Sequence, residues 1–300
     1  MNLQKFRGTG VALVTPFNPD KKVDYPALER IIEYVIAGGV DFLVSLGTTG
    51  EAVTLTSEEC REVFDFTIET VNGRKPLVAG LFGSNFTAKL VNVLQTYNLD
   101  GFDAIMSSSP AYNKPPQEGI YRHYMEVAEA SPLPIIIYNV PGRTGSNVLP
   151  ETILRLAHDS PKFIAVKEAS GNLGQAMSIL KNRPDDFLVL SGEDPLTVPI
   201  IGSGGDGVIS VIANAYPEHW SEMVRAALNQ DMKTAARINL ELLDIHPWLY
   251  VEGNPVGIKA AMEIKGLCSR EVRIPLVPLS EHGYEALKKE MALVPELIKN

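Results

Sequence analysis

The sequence predicts an α/β fold: a (β/α)8 barrel of the TIM type, with a C-terminal helical extension. Three observations carry this prediction. Short β-rich apolar runs recur eight times within residues 1–230, each followed by a helical pattern. Several of these runs are continuously apolar rather than alternating, as expected for parallel strands buried on both faces. Polar residues gather at the C-terminal ends of the runs, the rim at which such barrels carry their chemistry. An open doubly wound sheet normally has fewer strands and a Gly-rich phosphate turn after the first. Here the first run ends in Thr15-Pro16-Phe17 instead.

Taken in order, the predicted strands are 11–16, 42–46, 77–81, 104–107, 135–139, 164–167, 188–190 and 208–211. The first helix is predicted to start at Asp24, an N-cap before Tyr25 and Pro26, and to stop at Gly38-Gly39. The second is predicted over 58–71 with Ser57 as its cap, a Ser-x-x-Cys spacing that lacks the acidic partner of a capping box, and stops at Asn72-Gly73. From Asp231 onward the chain shows no further strong strand. Helical patterns over 235–249, 256–264 and 281–299 are interrupted by Pro247, Pro255, Pro275 and Pro278. No linker isolates this tail, so the barrel is assigned to 1–230, with the active site, and a helical region packed on it to 231–300.

Composition bounds the function. The 300 residues carry 27 Lys+Arg against 36 Asp+Glu, a formal net charge of −9, which argues against a nucleic-acid partner. A small anionic substrate is still admissible, because one local Arg binds a carboxylate on a net-negative protein. Cys60 and Cys268 make no disulfide framework, and reduced thiols in a cytoplasmic enzyme are the expectation. The N-terminus lacks the apolar segment of a signal peptide, and no apolar run reaches the ~20 residues that cross a bilayer. The five histidines are scattered without zinc spacing, so no metal is expected. The run 202–207, although Gly-rich, precedes a strand and is read as an αβ turn rather than a phosphate cradle.

At the predicted rim, the second strand ends in Gly47-Thr48-Thr49-Gly50-Glu51, the fifth in Tyr138-Asn139, the sixth in Lys167-Glu168 and the seventh in Ser191-Gly192. Lys167 is the most informative residue, because a charged side chain closing the run Phe163-Ile164-Ala165-Val166 is costly unless paired or neutralised. Its bland reading is an ion pair with Glu168 or an amine that snorkels outward. Its chemical reading is a desolvated free amine, which a Schiff-base nucleophile requires. A phenol on the adjacent strand, Tyr138, can move protons at a bound carbonyl, with the Thr49 hydroxyl as its partner. Read blandly, Tyr138 is a core aromatic with its hydroxyl at the surface.

With Gly47-Thr48-Thr49-Gly50-Glu51, Tyr138-Asn139-Val140-Pro141-Gly142-Arg143-Thr144-Gly145 and Val166-Lys167-Glu168-Ala169-Ser170-Gly171 in view, the chain resembles the class I pyruvate-dependent aldolase family over essentially its whole length. The resemblance is greatest to the branch that condenses pyruvate with L-aspartate 4-semialdehyde to give 4-hydroxy-tetrahydrodipicolinate, on the route to diaminopimelate and lysine. It implies that Lys167 forms an imine with pyruvate, with no separate cofactor. It also implies that Tyr138 relays protons with Thr49, and that Tyr112 completes the relay from a neighbouring subunit of a homotetramer, a dimer of dimers. Thr48 would meet the pyruvate carboxylate, Gly192 and Ile209 would line the pocket through backbone atoms, and Arg143 would bind the carboxylate of aspartate semialdehyde. Sister aldolases acting on N-acetylneuraminate or keto-deoxy sugars share the lysine and tyrosine but usually lack an Arg in this context. They are the main alternative, ahead of a non-catalytic ligand-binding barrel.

In lysine-inhibited members of the family, imidazoles, an acid and a tyrosine hold the inhibitor. The matching positions here are Ser57, Cys60, Lys89 and Ala111, and only Asn85 agrees. The resemblance therefore implies weak or absent feedback by L-lysine, since Lys89 puts a cation where a carboxylate would be needed.

Overall fold

Eight parallel strands close on themselves in sequence order: β1 (Gly8–Ala12), β2 (Phe42–Ser45), β3 (Leu77–Ala79), β4 (Ala104–Ser108), β5 (Ile135–Asn139), β6 (Phe163–Glu168), β7 (Leu188–Ser191) and β8 (Gly207–Ser210). The computed structural model describes residues 3–80 and 82–297. Outside the barrel lie α1 (Tyr25–Ala37), α2 (Ser57–Val71), α3 (Thr87–Thr96), α4 (Gln117–Ala130), α5 (Pro141–Thr144), α6 (Pro150–Asp159), α7 (Leu173–Asn182), α8 (Thr197–Gly202) and α9 (Pro217–Leu228). The tail adds α10 (Met232–Glu241), α11 (His246–Tyr250), α12 (Val256–Ile264) and α13 (Glu281–Met291).

The near-continuous apolar runs have the predicted cause, because both faces of the strands are covered. Val11, Leu43, Leu77, Ile105, Ile137, Val166, Val189 and Val208 pack outward under the helices. Alternate residues, Ala12, Val44, Val78, Met106, Ile136, Leu190 and Ile209 among them, fill the inside. Phe6 closes the lower end edge-on to Phe42, with ring centroids 5.7 Å apart. The Phe42 ring occupies the space where a Cβ on Gly10 would stand, only 2.3 Å away. At the closing seam Gly207 pairs with Gly8, and a Cβ there would lie 2.0 Å from the Gly8 carbonyl oxygen.

The strand boundaries differ from expectation mainly at β1. It begins at Gly8, three residues early, and ends at Ala12 rather than 16. Glycines are poor strand formers in sequence, yet only they allow the close β1–β8 approach. Residues 13–15 are buried and bonded elsewhere: Val14 N–H donates to Asn214 Oδ1 (3.2 Å) and the Thr15 hydroxyl to Gly50 O (2.6 Å). β3 ends at Ala79, and the last residue of its predicted span, Leu81, lies outside the described residues.

The first helix starts and stops as predicted, with the Asp24 carboxylate accepting from Ala27 N–H at 3.0 Å. The cap of α2 is Thr56, not Ser57. Thr56 Oγ1 accepts from Glu59 N–H, and the Glu59 carboxylate accepts from Thr56 N–H, a complete capping box one residue earlier than predicted. The predicted helix 235–249 is split into α10, a 3-10 turn at Leu243–Ile245, and α11, because Pro247 is accepted only at the start of a helix. The helix predicted over 281–299 ends at Met291, and residues 298 and 299 lie outside the described residues. The Gly-rich run 202–207 is the turn from α8 into β8.

Candidate active site

Lys167 and Tyr138 are register partners on neighbouring strands, which puts both side chains at one level inside the barrel mouth. Lys167 Nζ lies 4.4 Å from the centroid of the Tyr138 ring, and the two residues are 4% and 8% exposed. Successive strand residues point to opposite faces. Lys167 therefore points inward while Glu168 is turned outward, which removes the ion-pair reading. The Glu168 carboxylate instead accepts from Asn139 Nδ2 (3.0 Å), Gln175 Nε2 (3.0 Å) and Ser170 N–H (2.8 Å). The amine of Lys167 makes no ion pair among the described residues and meets only the face of an aromatic ring.

The amine opens into a cavity of about 330 Å³ lined by Thr49, Tyr138, Arg143, Lys167, Gly192, Glu193, Tyr250 and Asn254, among others. Gly192 leaves room beside the amine: a Cβ there would stand 3.0 Å from Lys167 Cγ and 2.6 Å from the Ala169 Cβ. Arg143, on the one-turn helix α5, is exposed and lines both this cavity and an adjoining one of about 490 Å³ that also holds Thr48, Ser84, Asn85, Ser108 and Ala111. Thr48 thus faces the adjoining cavity. Ile209 is a buried member of the inner core and lines neither cavity through its side chain.

Tyr112 stands apart. It is 89% exposed, has φ of +71°, and its backbone N–H donates to Thr144 O at 2.9 Å. It lines neither cavity of its own chain. Of the positions matching an inhibitor site, Asn85 and Ala111 line the adjoining cavity. Ser57, Cys60 and Lys89 do not, and Cys60 is buried with its thiol pushed up to about 11 by burial. Among the described residues no group of three or more His, Cys, Asp or Glu could hold a metal, and no helix is long and apolar enough to cross a membrane.

Three contributors escaped the sequence reading. Asn254, from the tail, donates its amide to Thr49 Oγ1 at 3.1 Å, and its own Oδ1 is buried without a partner. An amide that fills the acceptor side of the threonine hydroxyl leaves that hydroxyl's proton to point elsewhere, toward the cavity. Glu51, quoted above only as part of a motif, is 2% exposed and accepts from Lys259 Nζ of α12, itself fully buried, and from Arg273 N–H. Tyr250 lies over the site with its hydroxyl raised well above the usual range, first by burial and then by Asp194. The only available signal was an Asn and a Lys in an apolar tail, and nothing local ties them to residues two hundred positions earlier.

Asn254→Leu is expected to lower kcat about fivefold to tenfold, the worth of one hydrogen bond, with substrate KM little changed. Steady-state kinetics checks this, and an unchanged kcat would show that Asn254 does not orient Thr49.

Residues 5–293 match the model of the dihydrodipicolinate synthetase family. The 4-hydroxy-tetrahydrodipicolinate synthase of Flavobacterium psychrophilum is 50% identical over 279 residues, covering 93% of this chain and 95% of that protein. The enzyme of the same name from Phocaeicola vulgatus is 47% identical, covering 95% of each. A dihydrodipicolinate synthase from Acinetobacter baumannii, solved in complex with pyruvate, superimposes with a TM-score of 0.92 at 37% identity, over 96% of this chain and 98% of that one. The eight-stranded barrel, the inward lysine and tyrosine, and these likenesses agree: the chain belongs to the dihydrodipicolinate synthetase family.

Proposed function

We propose that this protein is a lyase that condenses pyruvate with L-aspartate 4-semialdehyde to give 4-hydroxy-tetrahydrodipicolinate, through an imine on Lys167. The observation that carries the reading is the buried Lys167 amine, without a carboxylate partner, beside Tyr138 and under Arg143. Lys167 attacks the pyruvate ketone, and Tyr138 with Thr49 moves the protons that expel water. Thr48 holds the pyruvate carboxylate at the edge of the adjoining cavity, and the backbone around Gly192 and Ile209 borders the pocket. The imine withdraws electrons, so the methyl group loses a proton and becomes a nucleophilic enamine carbon. That carbon attacks the aldehyde of the second substrate, whose carboxylate the Arg143 guanidinium receives. The substrate amine then displaces Lys167 and closes the ring.

A second copy of the chain supplies Tyr112 to the relay in a homotetramer. Support comes from its exposure and its separation from its own cavity. Sedimentation at assay concentration is expected to show an oligomer, and a fully active monomer overturns this part. The division into a barrel over 1–230 and a helical region over 231–300 belongs to the same proposal, with Asn254 reaching the site from the second part. Free thiols at Cys60 and Cys268 suit a cytoplasmic setting.

The deciding experiment is pyruvate consumption with aspartate semialdehyde, N-acetylmannosamine and glyceraldehyde at equal concentration. Preference for aspartate semialdehyde is expected. Turnover with a sugar-derived aldehyde alone would keep Lys167 and discard the acceptor. For regulation, the adjoining cavity has no carboxylate among its described lining residues and does carry Arg143, so an amino acid's ammonium finds no counter-charge there. L-Lysine is expected to inhibit weakly or not at all, and half-inhibition below about millimolar would overturn that reading.

A further inference from the structure

The turn after β7 places two acids in succession, and the fold uses them differently. Asp194 is 2% exposed, and its Oδ2 accepts from Val211 N–H (3.0 Å) and Ile212 N–H (2.9 Å), tying this turn to the end of β8. Glu193 is held by its backbone alone: its N–H donates to Ser191 Oγ, and its carbonyl accepts from the same hydroxyl at 2.7 Å. Its carboxylate makes no hydrogen bond or ion pair among the described residues. It lines the cavity that contains Lys167 and Arg143.

An unpartnered carboxylate in a reaction cavity otherwise charged by Lys167 and Arg143 calls for a cationic ligand group. Pyruvate has none. Aspartate semialdehyde carries an ammonium on the same carbon as the carboxylate that Arg143 receives. Resting on the acceptor assigned above, we propose that Glu193 binds the ammonium of the amino-acid aldehyde opposite Arg143 and takes a proton from it before the ring closes. The site thereby selects aldehydes with an α-amino acid head over aldehydes with a carboxylate alone.

The protons balance. The ammonium gives one proton to Glu193, and the freed lone pair attacks the imine carbon, forming the new C–N bond. One proton passes from the attacking nitrogen to Lys167 Nζ, whose bond to that carbon then breaks, so lysine leaves as a free amine. Glu193 releases its proton to water at the mouth of the cavity. Burial, with Asp194 adjacent, holds the Glu193 carboxyl above the usual carboxylate range, against the opposing charges of Lys167 and Arg143. A carboxylate so placed is a better proton acceptor than an exposed one.

The test compares aspartate semialdehyde with succinate semialdehyde, which has the same carboxylate and aldehyde but no amine. On pyruvate-loaded enzyme, the KM for aspartate semialdehyde is divided by the inhibition constant for succinate semialdehyde. In E193Q this ratio is expected to rise about 10- to 100-fold, the worth of one charge-assisted contact. E193D should recover part of it, and E193A should behave as E193Q, so the measurement survives if one variant fails to fold. An unchanged ratio, or equal weakening of both aldehydes, overturns the proposal and leaves Glu193 a structural residue. Wild-type protein that forms the pyruvate adduct but ignores aspartate semialdehyde would instead remove the acceptor assignment, and this proposal with it.

Discussion

Lys167→Ala is expected to give no borohydride-stable adduct with pyruvate and to lose at least about a thousandfold in kcat, the scale on which removing a covalent nucleophile acts. The expectation follows from the position of the amine. It projects inward from β6 into an apolar ring of barrel residues, faces Tyr138 at 4.4 Å from the ring centroid, and makes no ion pair among the described residues. Lys167→Arg is the sharper companion, since it keeps the cation and the volume but cannot form an imine. Mass spectrometry after borohydride reduction reads both. An adduct on either variant equal to that of the wild type would move the covalent chemistry to another amine, and Lys259 is too well engaged to serve as one.

The second large effect concerns that engagement. Lys259→Met is expected to cost about 3–5 kcal/mol of stability, because it leaves the Glu51 carboxylate buried without its cation. Nζ lies 2.5 Å from Glu51 Oε1 and also donates to Glu271 O at 2.9 Å, and both side chains are essentially excluded from water. Burial lowers the lysine's pKa, and the Glu51 charge opposes that shift. Glu51 sits at φ of +53° and Leu46 at φ of +55°, on either side of the turn that carries Thr48 and Thr49. Such left-handed residues cost about 1–3 kcal/mol each and persist only where contacts hold them. The pair with Lys259 supplies those contacts, so the single variant should also lose activity through a displaced Thr49. Urea denaturation checks the stability. The double variant Glu51→Gln with Lys259→Met removes both charges and should recover most of the loss, and a double variant as weak as the single would show that the pair is not the cause.

Much of this architecture is legible in the sequence. The eight runs, their order and the rim that carries Lys167, Tyr138 and Thr49 follow from patterns of a few residues each. The misplacements were local. Ser57 stood in for the true cap because Thr56-x-x-Glu59 overlaps it by one residue. β1 starts at Gly8 rather than 11 because the seam and the Phe42 ring require glycines ahead of the apolar run. Of the proposed site residues, Lys167, Tyr138, Thr49, Arg143 and Gly192 meet in one cavity. Thr48 borders the next, Ile209 is packed in the core, and Tyr112 faces away.

The barrel and the family are legible in the sequence alone, because strand periodicity and short motifs are local properties of the chain. Tertiary contacts alone show that Glu168 turns away from Lys167 into an amide network, that Asn254 donates to the Thr49 hydroxyl oxygen, and that Lys259 pairs with Glu51. Of two adjacent acids, the fold gives Asp194 to backbone N–H groups and leaves Glu193 lining the cavity of Lys167. The reason is physical: which charge is paired, and by what, depends on contacts between residues two hundred positions apart, and sequence spacing carries no record of those.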